Sequence, residues 1–147
     1  MNIKELVAKG FIDVNDDISF ETKAEVMSLF GFKTYNARIG FYRTLQDPNV
    51  HLWFPLFYQD DKNDWENTWG QNEQSVFERR KRNNEDYVAE VIAKPDWHVR
   101  ILFAKIQPYG RLLHKFKGVY EYDADLTLKA KKLAYVRTAT QAKLYSI

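Results

Sequence analysis

The chain contains no cysteine, and this absence removes two kinds of chemistry at once. Without thiols there is neither a disulfide framework nor a thiolate nucleophile, and a reducing compartment such as the cytoplasm is the expected location. No apolar run approaches the roughly 18 residues of a membrane-spanning helix, and the first residues lack the apolar stretch of a signal peptide. We therefore expect a cytoplasmic protein that has no membrane partner.

Recognisable catalytic and cofactor motifs are also missing. The 6 glycines are scattered, so the sequence has no glycine-rich dinucleotide or phosphate loop and no nucleophile elbow. The three histidines stand far apart, with no second histidine or cysteine at the spacing of metal ligands: His51, His98 and His114. We predict no catalytic residue, no metal site and no cofactor, and hence a protein that is not an enzyme.

One acidic segment keeps a nuclease hypothesis open. Metal-dependent nucleases of the restriction type combine a carboxylate with a later acid-x-lysine triplet, which together hold a metal ion and activate water. Here the triplet would be Asp60-Asp61-Lys62, with Asp64 or Glu66 as the further carboxylate. The triplet does not lie on a well-formed central strand, and a chain with 29% charged residues contains such triplets by chance. A small metal-dependent nuclease is therefore the third functional hypothesis.

The sequence is instead rich in aromatic residues, at 16%, with 9 Tyr and 10 Phe. Its 147 residues are enough for one domain with a substantial core. We expect a single domain over residues 1–147, with N-terminal helices in 1–33 and a β-rich core in 36–147. The net charge of +2 is unevenly spread, since residues 60–73 are acidic and residues 111–147 are basic. Such asymmetry favours one side that faces a polyanion.

Hydrophobic spacing predicts about three helices and about six strands. Helices are expected at 2–9, at 21–30, and from an N-cap at Asn84 to a stop at Lys94 and Pro95. Strands are expected at 38–44, 50–58, 75–81, 98–106, 112–122 and 133–145, with polar connections at 59–74 and 123–132. Because strands and helices do not alternate, the predicted class is α+β, with a strongly curved, mostly antiparallel sheet or a partly closed β-barrel.

The segment from Trp53 to Arg82 carries the functional signal, because aromatic and acidic residues there precede a basic cluster. Aromatic faces stack on bases, and carboxylate or amide groups accept hydrogen bonds from base amino groups. We predict a base pocket formed by Tyr58, Asp60, Asp61, Asp64, Trp65, Asn67 and Trp69. Its walls would be Tyr58, Trp65 and Trp69, and the others would read the base edge. The alternative is that these aromatic residues belong to the core.

Basic side chains are predicted to hold the nucleic-acid backbone around that pocket. Clustered arginine and lysine residues neutralise phosphates and release their counterions. The predicted phosphate contacts are Arg79, Arg80, Lys81, Arg82, Lys115 and Lys117. The alternative for the first four is the solvated end of a strand, placed just before a turn at Asn83 and Asn84.

Five segments occur in a characteristic order: 49–56 (NVHLWFPL), 65–70 (WENTWG), 99–105 (VRILFAK), 116–122 (FKGVYEY) and 134–138 (AYVRT). This order resembles the PUA-like superfamily, and in particular the SRA-type readers of modified DNA in restriction systems. The resemblance covers residues 36–147. It implies a curved barrel whose concave face takes one flipped nucleotide. No pocket residue is carried over from the family, since the residues above are inferred from side-chain chemistry alone.

Together these observations predict a non-catalytic DNA-binding domain that recognises a modified or flipped base, as the specificity module of a restriction enzyme. The expected partner is DNA, in particular a modified duplex, with a nuclease either fused to the domain or associated with it. The oligomeric state stays open. The second hypothesis is a protein-interaction module of a phage or mobile-element protein, which would bind a host partner through exposed aromatic residues.

Overall fold

The structure is a computed structural model, and it describes residues 2–33, 41–44, 47–95 and 98–145. Within these residues the α-helices are α1 (Ile3–Lys9), α2 (Lys23–Leu29), α3 (Asn84–Ala93) and α4 (Ala124–Ala130). The strands are β1 (Phe11–Asp13), β2 (Ser19–Phe20), β3 (Phe41–Arg43), β4 (Val50–Trp53), β5 (Trp65–Trp69), β6 (Ser75–Arg80), β7 (Val99–Ile106), β8 (Leu113–Tyr122), β9 (Leu133–Ala139) and β10 (Gln141–Lys143). Short 3-10 turns lie at Val14–Asp16, Gln71–Glu73 and Pro108–Gly110.

The helices α1 and α2 each begin at a capping box. The side chain of Asn2 accepts a hydrogen bond from the Glu5 backbone N–H, and the Glu5 side chain accepts one from the Asn2 N–H in return. Thr22 and Glu25 repeat this arrangement at α2. These bonds satisfy N–H groups that have no partner within a helix. The first helix ends at Gly10, whose φ of 85° is a left-handed conformation that glycine adopts without strain.

The main sheet has eight strands, in the order β3-β4-β7-β8-β9-β6-β5, with the short β2 paired to β8. The pair β4–β7 is parallel, and the other pairs of the described strands are antiparallel. The strand path runs from β3 to β5 without closing on itself among the described residues. The predicted α+β class with a mostly antiparallel sheet is confirmed, with four α-helices in the described residues rather than about three.

The strand β7 lies in the middle of this sheet and separates two hydrophobic cores. Ile101 and Phe103 belong to the first core, which the N-terminal helices α1 and α2 cover. Leu102 and Ala104 belong to the second core, together with Trp53, Tyr120, Leu133 and Tyr135. Successive side chains of a strand point to opposite faces, so a central strand is apolar on both. The prediction of a central strand here is confirmed.

Two segments predicted as polar connections contain regular structure. Residues 59–74 include β5, in which Trp65, Asn67 and Trp69 alternate with exposed residues and the strand pairs with β6. Residues 123–132 include α4, which Asp123 caps by accepting a hydrogen bond from the Leu126 N–H. The abundance of polar residues concealed an alternating strand pattern in the first segment and a helix cap in the second.

Several predicted boundaries also change. The final predicted strand, 133–145, is divided into β9 and β10, which pair with different strands. The N-cap of α3 is Asn83, with a φ of 56°, while Asn84 accepts a hydrogen bond from the Arg80 backbone N–H through its side chain. Residues 38–40 of the first predicted strand lie outside the described residues. The division of the final strand arises because pairing partners, which are a tertiary feature, decide where a strand stops.

His114 of β8 makes the stability of the fold sensitive to pH. It is only 4% exposed, beside the ring of Phe54 and the charges of Lys105, Lys23 and Glu25. Burial foremost, and then the two lysines, lower the pKa of His114 from 6.5 to about 4, while Glu25 opposes the shift. The unfolded chain therefore gains a proton near pH 6.5 that the folded chain does not accept, so stability falls as the pH drops towards 4.

Replacement of His114 by phenylalanine should remove this contribution. Across the interval between the two pKa values, the free energy of unfolding of the wild type should fall on the order of 3 kcal/mol further than that of His114→Phe. Urea denaturation of both proteins over this pH range measures the difference, because the carboxylates contribute to both alike. Parallel stability profiles for the two proteins would contradict a buried, neutral His114.

Candidate nucleic-acid interface

The hairpin of β5 and β6 carries a row of aromatic and polar side chains on one face. Trp65, Asn67 and Trp69 are partly buried, and the residues between them are exposed. In the register of the hairpin, Trp65 lies opposite Arg80 and Asn67 lies opposite Glu78. Directly opposite residues of an antiparallel pair project from the same face and contact each other. The hairpin thus places an aromatic ring, an amide, a carboxylate and a guanidinium side by side.

Two adjoining cavities open along this row. The first cavity, of about 620 Å³, and the second cavity, of about 410 Å³, share Leu56, Trp65 and Asn67 as lining residues. The first cavity is also lined by Tyr58, Asp60, Asp61 and Lys81. The second cavity is also lined by Trp53, Glu78, Tyr87, Arg100 and Lys105. Five of the seven residues that the sequence predicts for a base pocket therefore lie around the first cavity.

Asn67 stands where the two cavities meet, and its amide has a fixed orientation. Its Nδ2 donates to the backbone carbonyl of Leu56 over 3.1 Å, which directs Oδ1 away from that carbonyl. Among the described residues, buried Oδ1 has no hydrogen-bond partner. A buried acceptor without a partner is unfavourable by about 1–3 kcal/mol. The atom is therefore suited to accept a hydrogen bond from an amino group of a bound ligand.

The two tryptophans of β5 have different surroundings although they share a face. The ring of Trp65 meets that of Tyr87 edge to face, with centroids 4.9 Å apart, and Trp65 lines both cavities. Trp69 instead stacks on Phe57 at 4.1 Å, with 5° between the ring planes, and packs against the second core. Because Phe57 covers its ring, Trp69 lines neither cavity. Trp69 thus supports the site from behind, where the sequence predicts a wall.

The acidic loop before β5 is tied to the end of β6 by Asp64. Arg80 Nε donates to Asp64 Oδ2 at 3.1 Å, and Arg82 Nε donates to Oδ1 at 3.2 Å. The hydrogen bond from Arg80 foremost, together with that from Arg82, lowers the pKa of the Asp64 carboxyl below its usual range. Lys81 Nζ donates to the Asp60 carbonyl in the same region. Asp64 therefore holds two arginines and lines neither cavity, where the sequence predicts a base reader.

The predicted phosphate-binding cations are distributed over three places. Those at the end of β6, beside the first cavity, are Arg80, Lys81 and Arg82. Arg79 points away from this row and lines a separate groove between α3 and α4. Lys115 and Lys117 lie on β8, in ion pairs with Asp17 at 2.6 Å and with Glu73 at 2.8 Å. The six cations do not form one patch, because β6 sends Arg79 and Arg80 to opposite faces and because Lys115 and Lys117 belong to another strand.

Sequence reasoning missed three residues of the second cavity, namely Glu78, Tyr87 and Arg100. Glu78 is 8% exposed and accepts a hydrogen bond from the Tyr87 hydroxyl at 3.3 Å. The Arg100 guanidinium lies over the rings of Trp53 and Tyr135, at 4.6 and 4.3 Å from their centroids. The alternation of β6 could have identified Glu78 as an inward carboxylate. Tyr87 and Arg100 gave no such signal, since their neighbours are distant in sequence.

The candidate site consists of aromatic, amide, carboxylate and guanidinium groups. Over the part of the chain that the structure describes, no group of three or more His, Cys, Asp or Glu side chains is placed to hold a metal ion. In that same part, the helices are too short and too polar to cross a bilayer. Rings around a cavity with a few convergent polar groups suit a planar ligand that carries hydrogen-bonding edges.

Comparisons with known proteins bear on this geometry. A family model described as SRA, the SET and RING associated domain, matches residues 5–144. Among solved structures, the chain is similar to "The 5-Hydroxymethylcytosine-Specific Restriction Enzyme AbaSI", with a TM-score of 0.80 and 22% identity over 99% of this chain. The chain spans about half of that enzyme's chain, 46%. A search of curated proteins gives no match. The SRA-like fold predicted from the sequence is confirmed.

The different surroundings of the two tryptophans predict different losses of stability. Trp69→Ala should lower the free energy of unfolding by roughly 3 kcal/mol, because it removes a ring that stacks on Phe57 and packs against the second core. Trp65→Ala should lower the free energy of unfolding clearly less, because the Trp65 ring borders both cavities. Urea denaturation of the two variants measures both values. Equal losses would show that Trp65 is as much a part of the core as Trp69.

Proposed function

The chain belongs to the family of SRA (SET and RING associated) domains, and we propose that it recognises 5-hydroxymethylcytosine extruded from duplex DNA. Family membership makes it a DNA-binding domain that recognises a modified base, as the sequence predicts. The protein-interaction and nuclease hypotheses are not favoured by this membership. The choice of base is supported by the structurally similar restriction enzyme, which is specific for 5-hydroxymethylcytosine. The base would occupy the two joined cavities.

One observation carries this proposal, the buried Oδ1 of Asn67 at the junction of the cavities. Leu56 holds Nδ2 of the same amide, so the free end of the side chain can only accept a hydrogen bond. Cytosine presents an amino group, N4, as the donor on its edge. Glu78, the cross-strand neighbour of Asn67, offers a second acceptor, which suits the hydroxyl of a hydroxymethyl group.

The free energy that aromatic stacking can supply is comparable with the free energy that extrusion of a base requires. Extruding a base costs a few kcal/mol of stacking and pairing. Stacking on aromatic side chains returns about 1–3 kcal/mol per base. We assign that role to Trp65 and Tyr58, with Tyr87 holding the Trp65 ring in place. Because the two terms nearly balance, the hydrogen bonds to the base edge and to its substituent decide which nucleotide stays in the cavities.

The phosphates around the extruded nucleotide would be held chiefly by Arg80, Lys81 and Arg82. Lys81 lines the first cavity, and the two arginines lie at the same end of β6. Lys115 and Lys117 would contact the backbone further away, after exchanging their carboxylate partners for phosphates. Arg79 faces the groove between α3 and α4, which supports a position outside the DNA contact.

The domain is proposed to bind DNA without cleaving it. SRA domains are binding domains, and the structurally similar restriction enzyme is about twice the length of this chain. This relation supports a nuclease, fused or associated, as the partner that would cleave the bound DNA. The absence of cysteine supports a cytoplasmic location.

Asn67→Ala should reduce the preference for a hydroxymethylated over a plain duplex by about tenfold, since a good base-edge hydrogen-bonding pair is worth roughly 1–3 kcal/mol. Binding to the plain duplex should change little, because it depends on phosphates. Paired titrations with two duplexes of the same sequence measure the preference, and a melting curve verifies that the variant is folded.

Thr68→Ala is the matched control, because the exposed Thr68 lies on the other face of β5. It should leave the preference unchanged. If folded Asn67→Ala retains the full preference, Asn67 does not read the base. If the wild-type domain does not prefer the modified duplex at all, the proposed base is wrong.

The non-catalytic role has its own test. Incubation with hydroxymethylated and plain DNA in the presence of Mg²⁺ or Mn²⁺ should leave both substrates intact, since binding alone is proposed for this domain. Gel electrophoresis measures the products. Reproducible cleavage that disappears in Asp61→Ala or Glu66→Ala would contradict the proposal and favour a metal-dependent nuclease.

A further inference from the structure

Asp64 directly precedes Trp65, and its carboxylate bridges two arginines at the end of β6. Arg80 Nε and Arg82 Nε each donate to one of its oxygens, at 3.1 and 3.2 Å. The backbone N–H of Lys81, which lies between the arginines, donates to the Asp64 carbonyl at 2.7 Å. A single residue therefore ties both guanidinium groups to the start of the strand that carries the aromatic wall.

The atoms in these contacts determine what the arginines can still bind. A guanidinium has five N–H donors in a planar fork, and Asp64 engages each arginine through Nε. The terminal nitrogens remain to bind a phosphate, but only in the orientation that the carboxylate imposes. The Arg80 guanidinium also lies 5.9 Å from the Trp65 ring centroid, so the restrained cation and the aromatic wall are neighbours.

These ion pairs are too exposed to be important for folding. The side chains of Arg80 and Arg82 are 40% and 81% exposed, and that of Asp64 is 25% exposed. Surface ion pairs contribute little to the stability of a folded protein. They do, however, compete with any other anion that approaches the same guanidinium groups, and the phosphates of DNA are such anions.

We propose that Asp64 is a specificity-determining positioning residue, which restrains Arg80 and Arg82 to the orientation that suits a duplex with a base extruded beside Trp65. The inference rests on the proposed function. On ordinary DNA the arginines would have to leave Asp64 to follow the backbone, and the carboxylate itself repels phosphates, so Asp64 weakens this mode of binding. On a duplex with an extruded base, the arginines bind the phosphates without leaving Asp64. Asp64 therefore does not weaken binding to such a duplex.

Asp64→Asn keeps the size of the side chain and removes its charge. The variant should bind a plain duplex roughly three- to tenfold more tightly at low salt, as expected when two exposed ion pairs are released. The affinity of the variant for plain DNA should fall more steeply with salt concentration, by the amount expected for about one additional phosphate contact. Affinity for the hydroxymethylated duplex should change less, so the preference falls.

Three further variants separate restraint from simple charge. Asp86→Asn removes one carboxylate from the exposed first turn of α3, four residues beyond Arg82, and should affect both duplexes alike. When Arg80 and Arg82 are both replaced by glutamine, the addition of Asp64→Asn should change the affinity for either duplex no more than Asp86→Asn does. Arg82→Lys keeps the charge at a highly exposed position but lacks Nε, and should cause part of the same loss of preference.

The outcomes distinguish this inference from the function on which it rests. If Asp64→Asn increases the affinity for both duplexes by the same factor, Asp64 acts only through its negative charge, and the proposed restraint of the arginines is wrong. Unchanged or weaker binding to plain DNA would overturn it as well. Absence of any preference in the wild type would instead overturn the proposed function. In that case, Asp64→Asn could still bind plain DNA more tightly than the wild type. If this gain disappears when both arginines are replaced, it would still support a competition between Asp64 and phosphate for the arginines.

Discussion

The pairing register of β5 with β6 is the constraint on which the whole candidate site depends. It sets Asn67 beside Glu78 and Trp65 beside Arg80 on one face of the sheet. A shift of one residue would turn Trp65 and Asn67 to solvent and bring their polar neighbours inward. The register is held at its open end by the Lys81 N–H, which donates to the backbone carbonyl just before β5.

The floor of the candidate site belongs to a hydrophobic core. Trp53 and Tyr135 lie in the second core and also contact the Arg100 guanidinium, which lines the second cavity. The stacked pair of Phe57 and Trp69 joins the loop after β4 to β5 in the same way. Side chains on strands backed by a core are positioned more accurately than side chains on loops. Such a cavity is prepared before a ligand arrives, so less ordering opposes binding.

The positive charges near the proposed DNA path are few, and several are paired with carboxylates of the protein itself. The net charge is only +2, and four of the cations nearest the proposed DNA path are paired with carboxylates. Non-specific binding to DNA depends on the number of phosphates that are neutralised. If these cations hold the DNA as proposed, their ion pairs must be exchanged for phosphates, which weakens binding to ordinary DNA. Under the proposed function, selectivity would then depend on what the two cavities contribute to the binding of the base.

Much of the fold could be predicted from local patterns. Hydrophobic spacing predicted the two N-terminal helices and the long strands, and the order of motifs indicated the SRA-like architecture. Patterns failed where polar residues were abundant, so that β5 and α4 were taken for connections. A strand with one polar face and a short capped helix look like loops until their partners are known.

The sequence by itself determined which chemical groups were available, namely rings, amides and carboxylates close to a basic cluster. Only the tertiary structure decided which of them meet. It placed Asn67 beside both cavities and turned Asp64 towards two arginines. It also covered Trp69 with Phe57. Finally, it added Glu78, Tyr87 and Arg100 to the lining of the second cavity. The physical reason is that type and spacing are local properties. Burial, register and hydrogen-bond partners depend on contacts between residues far apart in the chain.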